Sequence, residues 1–170
     1  MTRVDRTKRS RRADAAPKVR LRPAKPADVR AIVHTEQASF TNPKEAFNRR
    51  QIASLVRNPH AIVTVGTCDG RVLGWVVGLI RRHPRYCTGR IYAIAVHPEA
   101  RGLRLGRRLL EHALKALRRC GVETVFLEAR IDNERAIELY RKVGFAHRHH
   151  LPHYYGRGRH GLSMVRRKPG

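Results

Sequence analysis

The run from Ile91 to Arg119 constrains this chain more than any other stretch. Ile91-Tyr92-Ala93-Ile94-Ala95-Val96 is apolar almost throughout, the pattern of a strand covered on both faces. A basic loop containing Gly102 and Gly106 then leads into Leu105, Leu109, Leu110, Ala113, Leu114 and Leu117, spaced as one face of a helix that Gly121 stops. A buried strand, a glycine-containing loop and a helix N-terminus make a seat for phosphate. The first amides of a helix lack carbonyl partners, and the helix dipole is positive there. Arg101, Arg104, Arg107 and Arg108 add charge to that seat.

The remaining elements alternate around this unit. Val19 to Arg22 reads as a strand ended by Pro23, and Ala27 to Phe40 as a helix with Val29, Ile32, Val33 and Phe40 on one face. Thr41-Asn42-Pro43 breaks it, and a second helix is expected from Lys44 to Arg57. Ile62 to Thr67 and Val72 to Ile80 are strands joined at Asp69-Gly70, a hairpin signal. A strand over Arg90–Val96, one over Val122–Ala129, a helix over Asn133–Val143 and strands after Phe145 and over Gly161–Arg166 complete the order. Such an order predicts an α/β sheet of mixed direction with helices on both faces. That order does not match a dinucleotide-binding fold of the Rossmann type.

Charge narrows the partners. The 170 residues carry 37 Lys and Arg against 13 Asp and Glu, a net +24. Seven bases against two acids give residues 1–18 a net +5 and leave +19 for the rest. Residues 1–18 lack the large apolar side chains that would offset ordering entropy and read as a basic tail. The folded unit is expected over 19–166, followed by a short basic terminus over 167–170. Such a balance favours polyanionic partners, including RNA or the ribosome, and no apolar run approaches the roughly 18 to 20 residues of a membrane span. Three scattered cysteines without a Cys-x-x-Cys pair fit a reduced, cytoplasmic setting. His147, His149, His150, His153 and His160 lie close in sequence but lack acidic or cysteine co-ligands, so no metal is expected.

A second block carries chemistry. Leu127-Glu128-Ala129-Arg130 ends an apolar strand, and Asn133, Ala136 and Tyr140 follow five, eight and twelve residues after Glu128, with Gly144-Phe145 beyond. Together with Ile94-Ala95-Val96-His97-Pro98 and Arg101-Gly102-Leu103-Arg104-Leu105-Gly106, these blocks resemble the GNAT superfamily of acetyl-CoA-dependent N-acetyltransferases over residues 19–166. Within it the chain looks most like the RimI-like branch, which acetylates the N-terminal amine of a ribosomal protein.

The resemblance implies the GNAT fold: a mixed, mostly antiparallel sheet with helices on both faces and a splayed pair of parallel strands holding acetyl-CoA, the co-substrate. It implies cofactor contacts at Ile94, Ala95 and Val96, at Arg101, Gly102, Leu103, Arg104, Leu105, Gly106 and Arg107, and at Asn133 and Ala136. Glu128 takes the place of the general base and Tyr140 that of the general acid. Tyr154 and Tyr155 match a segment that shapes the acceptor site, while Phe40, Glu36 and Glu45 lie at the other wall, where a carboxylate would draw an amine. The acceptor implied is a protein or peptide amine. A small amine such as an antibiotic, polyamine or amino acid is the alternative within the same chemistry, and a weakly catalytic ribosome- or RNA-binding protein is the alternative outside it. The oligomeric state stays open. One residue departs from the family loop: Arg104 stands where a glycine is usual. An arginine there is expected to hold an ordinary helical φ with its side chain turned away, or to clasp phosphate itself.

Overall fold

A computed structural model describes residues 18–40, 42 and 45–167. The two basic termini therefore lie almost wholly outside the described residues. The strands are β1 (Val19–Pro23), β2 (Ala61–Cys68), β3 (Arg71–Arg82), β4 (Cys87–Val96), β5 (Val122–Arg130), β6 (Ala146–Leu151) and β7 (Gly161–Arg167). The helices are α1 (Val29–Ser39), α2 (Arg49–Arg57), α3 (Leu105–Arg119) and α4 (Glu134–Lys142). The seven strands form one sheet in the order β1-β2-β3-β4-β5-β7-β6. Every pairing is antiparallel except β4 with β5. This is the GNAT arrangement that the sequence resemblance implies.

Two apolar layers flank the sheet. On one side α3 lays Leu105, Leu109, Leu110, Leu114 and Leu117 onto it, beside Ile137 and Tyr140 of α4. The helix lies close because β2 and β3 carry glycines beneath it. A Cβ on Gly66 would stand 2.5 Å from Leu105 Cδ1, and one on Gly74 would stand 2.8 Å from Leu109 Cδ1. On the other side α1 and α2 cover Trp75, Val65, Val77 and Ala95 with Ile32 and Ile52. The β2–β3 hairpin turns through Asp69 (φ 48°) and Gly70 (φ 85°), the two left-handed residues of a type I′ turn.

Local chemistry moves two expected boundaries. The second helix begins at Arg49 rather than Lys44, because Asn48 and Gln51 cap it reciprocally. Asn48 Oδ1 accepts from the Gln51 amide at 3.0 Å, and Gln51 Oε1 accepts from the Asn48 amide at 2.9 Å. The first helix is preceded by a 3-10 turn over Pro26–Asp28. Asp28 is held there by Arg22 at 2.6 and 2.8 Å and by the Lys25 amide at 2.7 Å.

Glu36 corrects a functional expectation. It is 1% exposed, inside the α1–α2 layer, and does not reach an incoming amine. Oε2 accepts from Trp75 Nε1 at 2.7 Å and Oε1 from the Phe47 amide at 3.3 Å. The carboxyl thus ties α1 to β3 and to the segment leading into α2. Burial raises its pKa above the ordinary glutamate value, against the two hydrogen bonds. A raised native pKa means that the folded state binds this proton more tightly than the unfolded chain. Glu36 therefore contributes stability below the unfolded value of 4.5 and loses it as pH rises through the native value. Glu36→Ala should cost about 2 to 4 kcal/mol by orphaning the Trp75 N–H and leaving a cavity. Glu36→Gln, which keeps an acceptor, should cost less and flatten the fall in stability above pH 4.5, as read from urea midpoints.

Candidate active site

The site is a gap between two strands. β4 and β5 pair in parallel from Cys87↔Val122 to Ile91↔Leu127 and no further. Beyond that point β4 stays on β3, with Ala93 to Val96 opposite Val77 to Gly74. β5 stays on β7, with Glu128 opposite Ser163 and Arg130 opposite Gly161. The register on β3 slips by one residue at Tyr92, a β-bulge at the start of the divergence. The two strands end apart, and the helices that follow them, α3 and α4, wall the opening.

That opening is a cavity of about 880 Å³. Ile94, Ala95 and Val96 line it from β4, Arg101, Gly102, Arg104, Leu105, Gly106 and Arg107 from the loop and α3, and Asn133, Ala136 and Tyr140 from α4. Phe40, after α1, lies on its rim with Ser39, whose hydroxyl donates to the Val96 carbonyl at 3.1 Å. Among the expected contacts, Leu103 does not line the cavity and instead packs against the α3 layer. Asn133 caps α4 by accepting from the Ala136 amide at 3.2 Å, which fixes a second helix N-terminus at the opening.

Arg104 overturns the expectation of a helical φ. Its φ is 53° and its ψ 20°, in the left-handed region, and it precedes α3 as the N-cap. The loop thus keeps the backbone form that a glycine would give, and places a guanidinium-bearing side chain on the cavity. A non-glycine residue there costs about 1 to 2 kcal/mol. Gly102 also has a positive φ, 84°, whereas Gly106 does not.

Glu128 is the first β5 residue beyond the pairing with β4 and does not itself line the cavity, whereas Tyr140 does. Glu128 Oε2 receives both Arg90 Nε and an Arg90 terminal nitrogen, each at 2.7 Å, which leaves Oε1 out of the pair. Arg90 also donates to the Tyr154 hydroxyl at 2.9 Å. Tyr154 and Tyr155 pack edge to face at 5.0 Å, and burial first, then the Tyr154, Glu128 and Tyr140 charges, raises the Tyr155 pKa. Arg90 thereby links the loop before β7 to Glu128. Tyr140 is 8% exposed and packs edge-on to Phe145. Among the described residues no buried side-chain polar atom lacks a partner, and no hydrogen bond engages the Tyr140 hydroxyl. The hydroxyl therefore keeps some exposure, and Tyr140 lines the cavity. Burial pushes its pKa up to about 12.

Residues 29–145 match the Acetyltransferase (GNAT) family. The chain belongs to that family. Among relatives, the mycothiol acetyltransferase of Paenarthrobacter aurescens is 34% identical over 66% of this chain; the match spans only 34% of that longer protein. An N-alpha-acetyltransferase of Sulfurisphaera tokodaii is 29% identical over 86% of this chain and 91% of its own length. The crystal structure of the ribosomal-protein-S18-alanine N-acetyltransferase from Escherichia coli superposes with a TM-score of 0.76 at 24% identity, covering 90% of this chain and 96% of that one, which shows the shared fold.

Sequence reasoning missed several members of this GNAT site. Arg90 carried no signal as the partner of Glu128, because it sits 38 residues away at the start of an apolar run. Glu45 was considered only as a free carboxylate. Its side chain is held by Arg130 at 3.1 Å and Arg159 at 2.5 Å, and Arg130 also grips Asp132 at 2.9 and 2.5 Å. That network stitches the entry to α2, the end of β5 and the loop before β7 across the cavity mouth. Among the described residues no His, Cys, Asp and Glu cluster is placed to hold a metal ion, and no helix is long and apolar enough to cross a membrane. Relief of the left-handed strain makes Arg104→Gly about 0.5 to 1 kcal/mol more stable than wild type, and Arg104→Val about 1 to 2 kcal/mol less stable, in thermal denaturation.

Proposed function

We propose that this GNAT domain transfers the acetyl group of acetyl-CoA to a protein N-terminal amine, with Glu128 as base and Tyr140 as acid. What supports the reading is that Glu128 follows the last β4–β5 pair, with one carboxylate oxygen outside its pairing with Arg90, while Tyr140 lines the cavity that opens there. Fit of the donor rests on the loop. Arg101, Arg104 and Arg107 line the same cavity as the α3 N-terminus, a charge and amide set that suits a pyrophosphate. The cavity volume of about 880 Å³ lies in the usual range of cofactor sites. Bound acetyl-CoA supplies a thioester acyl group to the gap.

The chain's own residues then have distinct tasks. Arg90 fixes the Glu128 carboxylate from one side, so Oε1 faces the remaining partner. Glu128 takes a proton from the acceptor's ammonium, and the neutral amine so formed attacks the acyl carbon with its lone pair. The open edge of β4 offers backbone amides to the acyl oxygen, since β5 has left that edge unpaired. Tyr140 gives its proton to the sulfur as the carbon–sulfur bond breaks. The high Tyr140 pKa keeps that proton in place throughout the working range.

An α-amine suits this site better than a lysine. Its pKa near 8 leaves roughly a quarter of it neutral at pH 7.5, whereas a lysine near 10.4 is almost wholly charged. The +24 net charge also opposes polyamines, whose several charges the mean field repels. The full-length similarity to an N-alpha-acetyltransferase supports the same acceptor class.

Thiol release from acetyl-CoA should be seen with peptides bearing a free N-terminus and lost when that terminus is blocked. Turnover with blocked peptides or with free polyamines would overturn the acceptor assignment. Glu128→Gln and Tyr140→Phe should each lower kcat about 10²-fold or more. Because Tyr140 stays protonated to about pH 12, the kcat profile should show no descending limb between pH 8 and 10. Wild-type turnover in both variants would reject the acid–base assignment.

A further inference from the structure

Four segments meet at the end of the sheet opposite the acyl cavity, and their chemistry is unlike that of the site. The β3–β4 turn closes through the His83 amide, which donates to the Tyr86 carbonyl at 2.8 Å. The His83 and Tyr86 rings stack at 4.3 Å with 21° between their planes, and His83 Nε2 lies 3.3 Å from Thr88 Oγ1. Tyr86 is 61% exposed, more than any other large apolar side chain among the described residues. An aromatic face is thus pre-set in solvent on a rigid hairpin. Folding gains nothing from that exposure.

Cations surround it. Arg81, Arg82 and Arg85 are exposed on the hairpin itself. The Cys87↔Val122 pairing brings up the C-terminus of α3, where Arg118 and Arg119 are exposed. The Ile80 amide donates to the His60 carbonyl at 2.8 Å, which brings up the end of α2 with Arg57. Arg167 of β7 lies opposite Thr124. Residues 57–61, 80–88, 118–124 and 165–167 contain a single acid, Glu123. The ion pairs of the described residues use none of these arginines. At the cavity mouth, by contrast, Arg90, Arg130 and Arg159 all face carboxylates.

We propose that this end of the sheet binds single-stranded RNA, one base stacking on the Tyr86–His83 pair while the arginines around it hold phosphates. Fixed cations alone would fit any anion. The exposed, pre-stacked aromatic pair selects a partner with an accessible π-face, and unpaired nucleotides present one every few ångströms beside a phosphate. Duplexes hide their base faces, and acidic peptides and anionic lipid headgroups have none. Tyr86 precedes Ile94, the first β4 residue lining the cavity, by eight residues, about 26 Å at the usual rise. RNA bound there leaves the acyl site open, so the domain could work while docked on a ribonucleoprotein.

The test is fluorescence anisotropy of a labelled 12-nucleotide single-stranded RNA with the full chain. Tyr86→Ala, which removes no charge, should weaken binding about fivefold or more. Arg82→Gln with Arg85→Gln should weaken it further and lower the salt slope by about 1.4. The same charge loss at the start of α2, Arg49→Gln with Arg50→Gln, should do markedly less. Peptide acetylation, assayed in parallel, should be unchanged in all of these variants, so a failure of the acetyl-transfer reading is scored separately. Absence of RNA binding, no effect of Tyr86→Ala, or equal losses in the two double variants would overturn the proposal. It would also fall if Tyr86→Ala equally weakened binding to duplex RNA, polyglutamate or phosphatidylserine vesicles.

Discussion

The parting of β4 from β5 after Ile91 and Leu127 is the constraint on which the rest depends. Parallel strands that separate leave backbone donors and acceptors without a ladder partner, and such groups need other company. The structure supplies some of it locally. Ser39 caps the Val96 carbonyl, the His97 amide turns to the Leu73 carbonyl at 2.8 Å, and the bulge at Tyr92 bends β4 where the separation begins. What remains open is the inner edge of β4, and it faces the same cavity as the N-termini of α3 and α4. One geometric event thus provides the space, the unpaired backbone and the two helix ends that the chemistry uses.

The legible parts of this fold were those where one kind of residue had one kind of reason. The leucine stripe of α3 and its glycine stop gave that helix its bounds, Leu105 to Arg119, and Asp69-Gly70 gave the hairpin its turn. The cavity lining also followed, because backbone position in strand, loop and helix decides it. Partnerships across the sheet were not legible. Glu36 looks in sequence like any helical glutamate, and only the packing of α1 over Trp75 puts it inside. The pairing of Arg90 with Glu128 joins two strands 38 residues apart and has no periodic signature. The start of α2 is set by the reciprocal cap of Asn48 and Gln51, a local hydrogen-bond pair that the break at Thr41-Asn42-Pro43 does not reveal.

Acid scarcity gives the charge distribution its logic. With 13 acids against 37 bases, most cations cannot find an ion-pair partner. The acids around the cavity are nonetheless all engaged: Glu128 by Arg90, Glu45 by Arg130 and Arg159, and Asp132 by Arg130. Pairing there serves shape more than stability, since partly exposed ion pairs contribute little. It sets the rotamer of a carboxylate and clamps a loop. Uncompensated arginines remain at the sheet's far end and in the loop before α3, where Arg101 and Arg104 line the cavity, and there they raise the local potential toward anions.

Arg104 shows how a loop can keep its form after losing the residue that suits it. The residue before it, Leu103, packs against the α3 layer, and the residue after it, Leu105, is 1% exposed within that layer. Both anchors are apolar and both gain by staying buried, about 1.5 to 3 kcal/mol for a fully buried leucine. The chain between two such anchors has little freedom, and the left-handed conformation is the one that joins them. Strain of about 1 to 2 kcal/mol at Arg104 is smaller than the loss of the fully buried Leu105 anchor, so the backbone tolerates the side chain and does not rearrange. A charge then stands on the cavity where glycine would have offered only an amide. The loop's conformation is accordingly a property of the core beneath it, and the identity of residue 104 is free to vary toward the chemistry above.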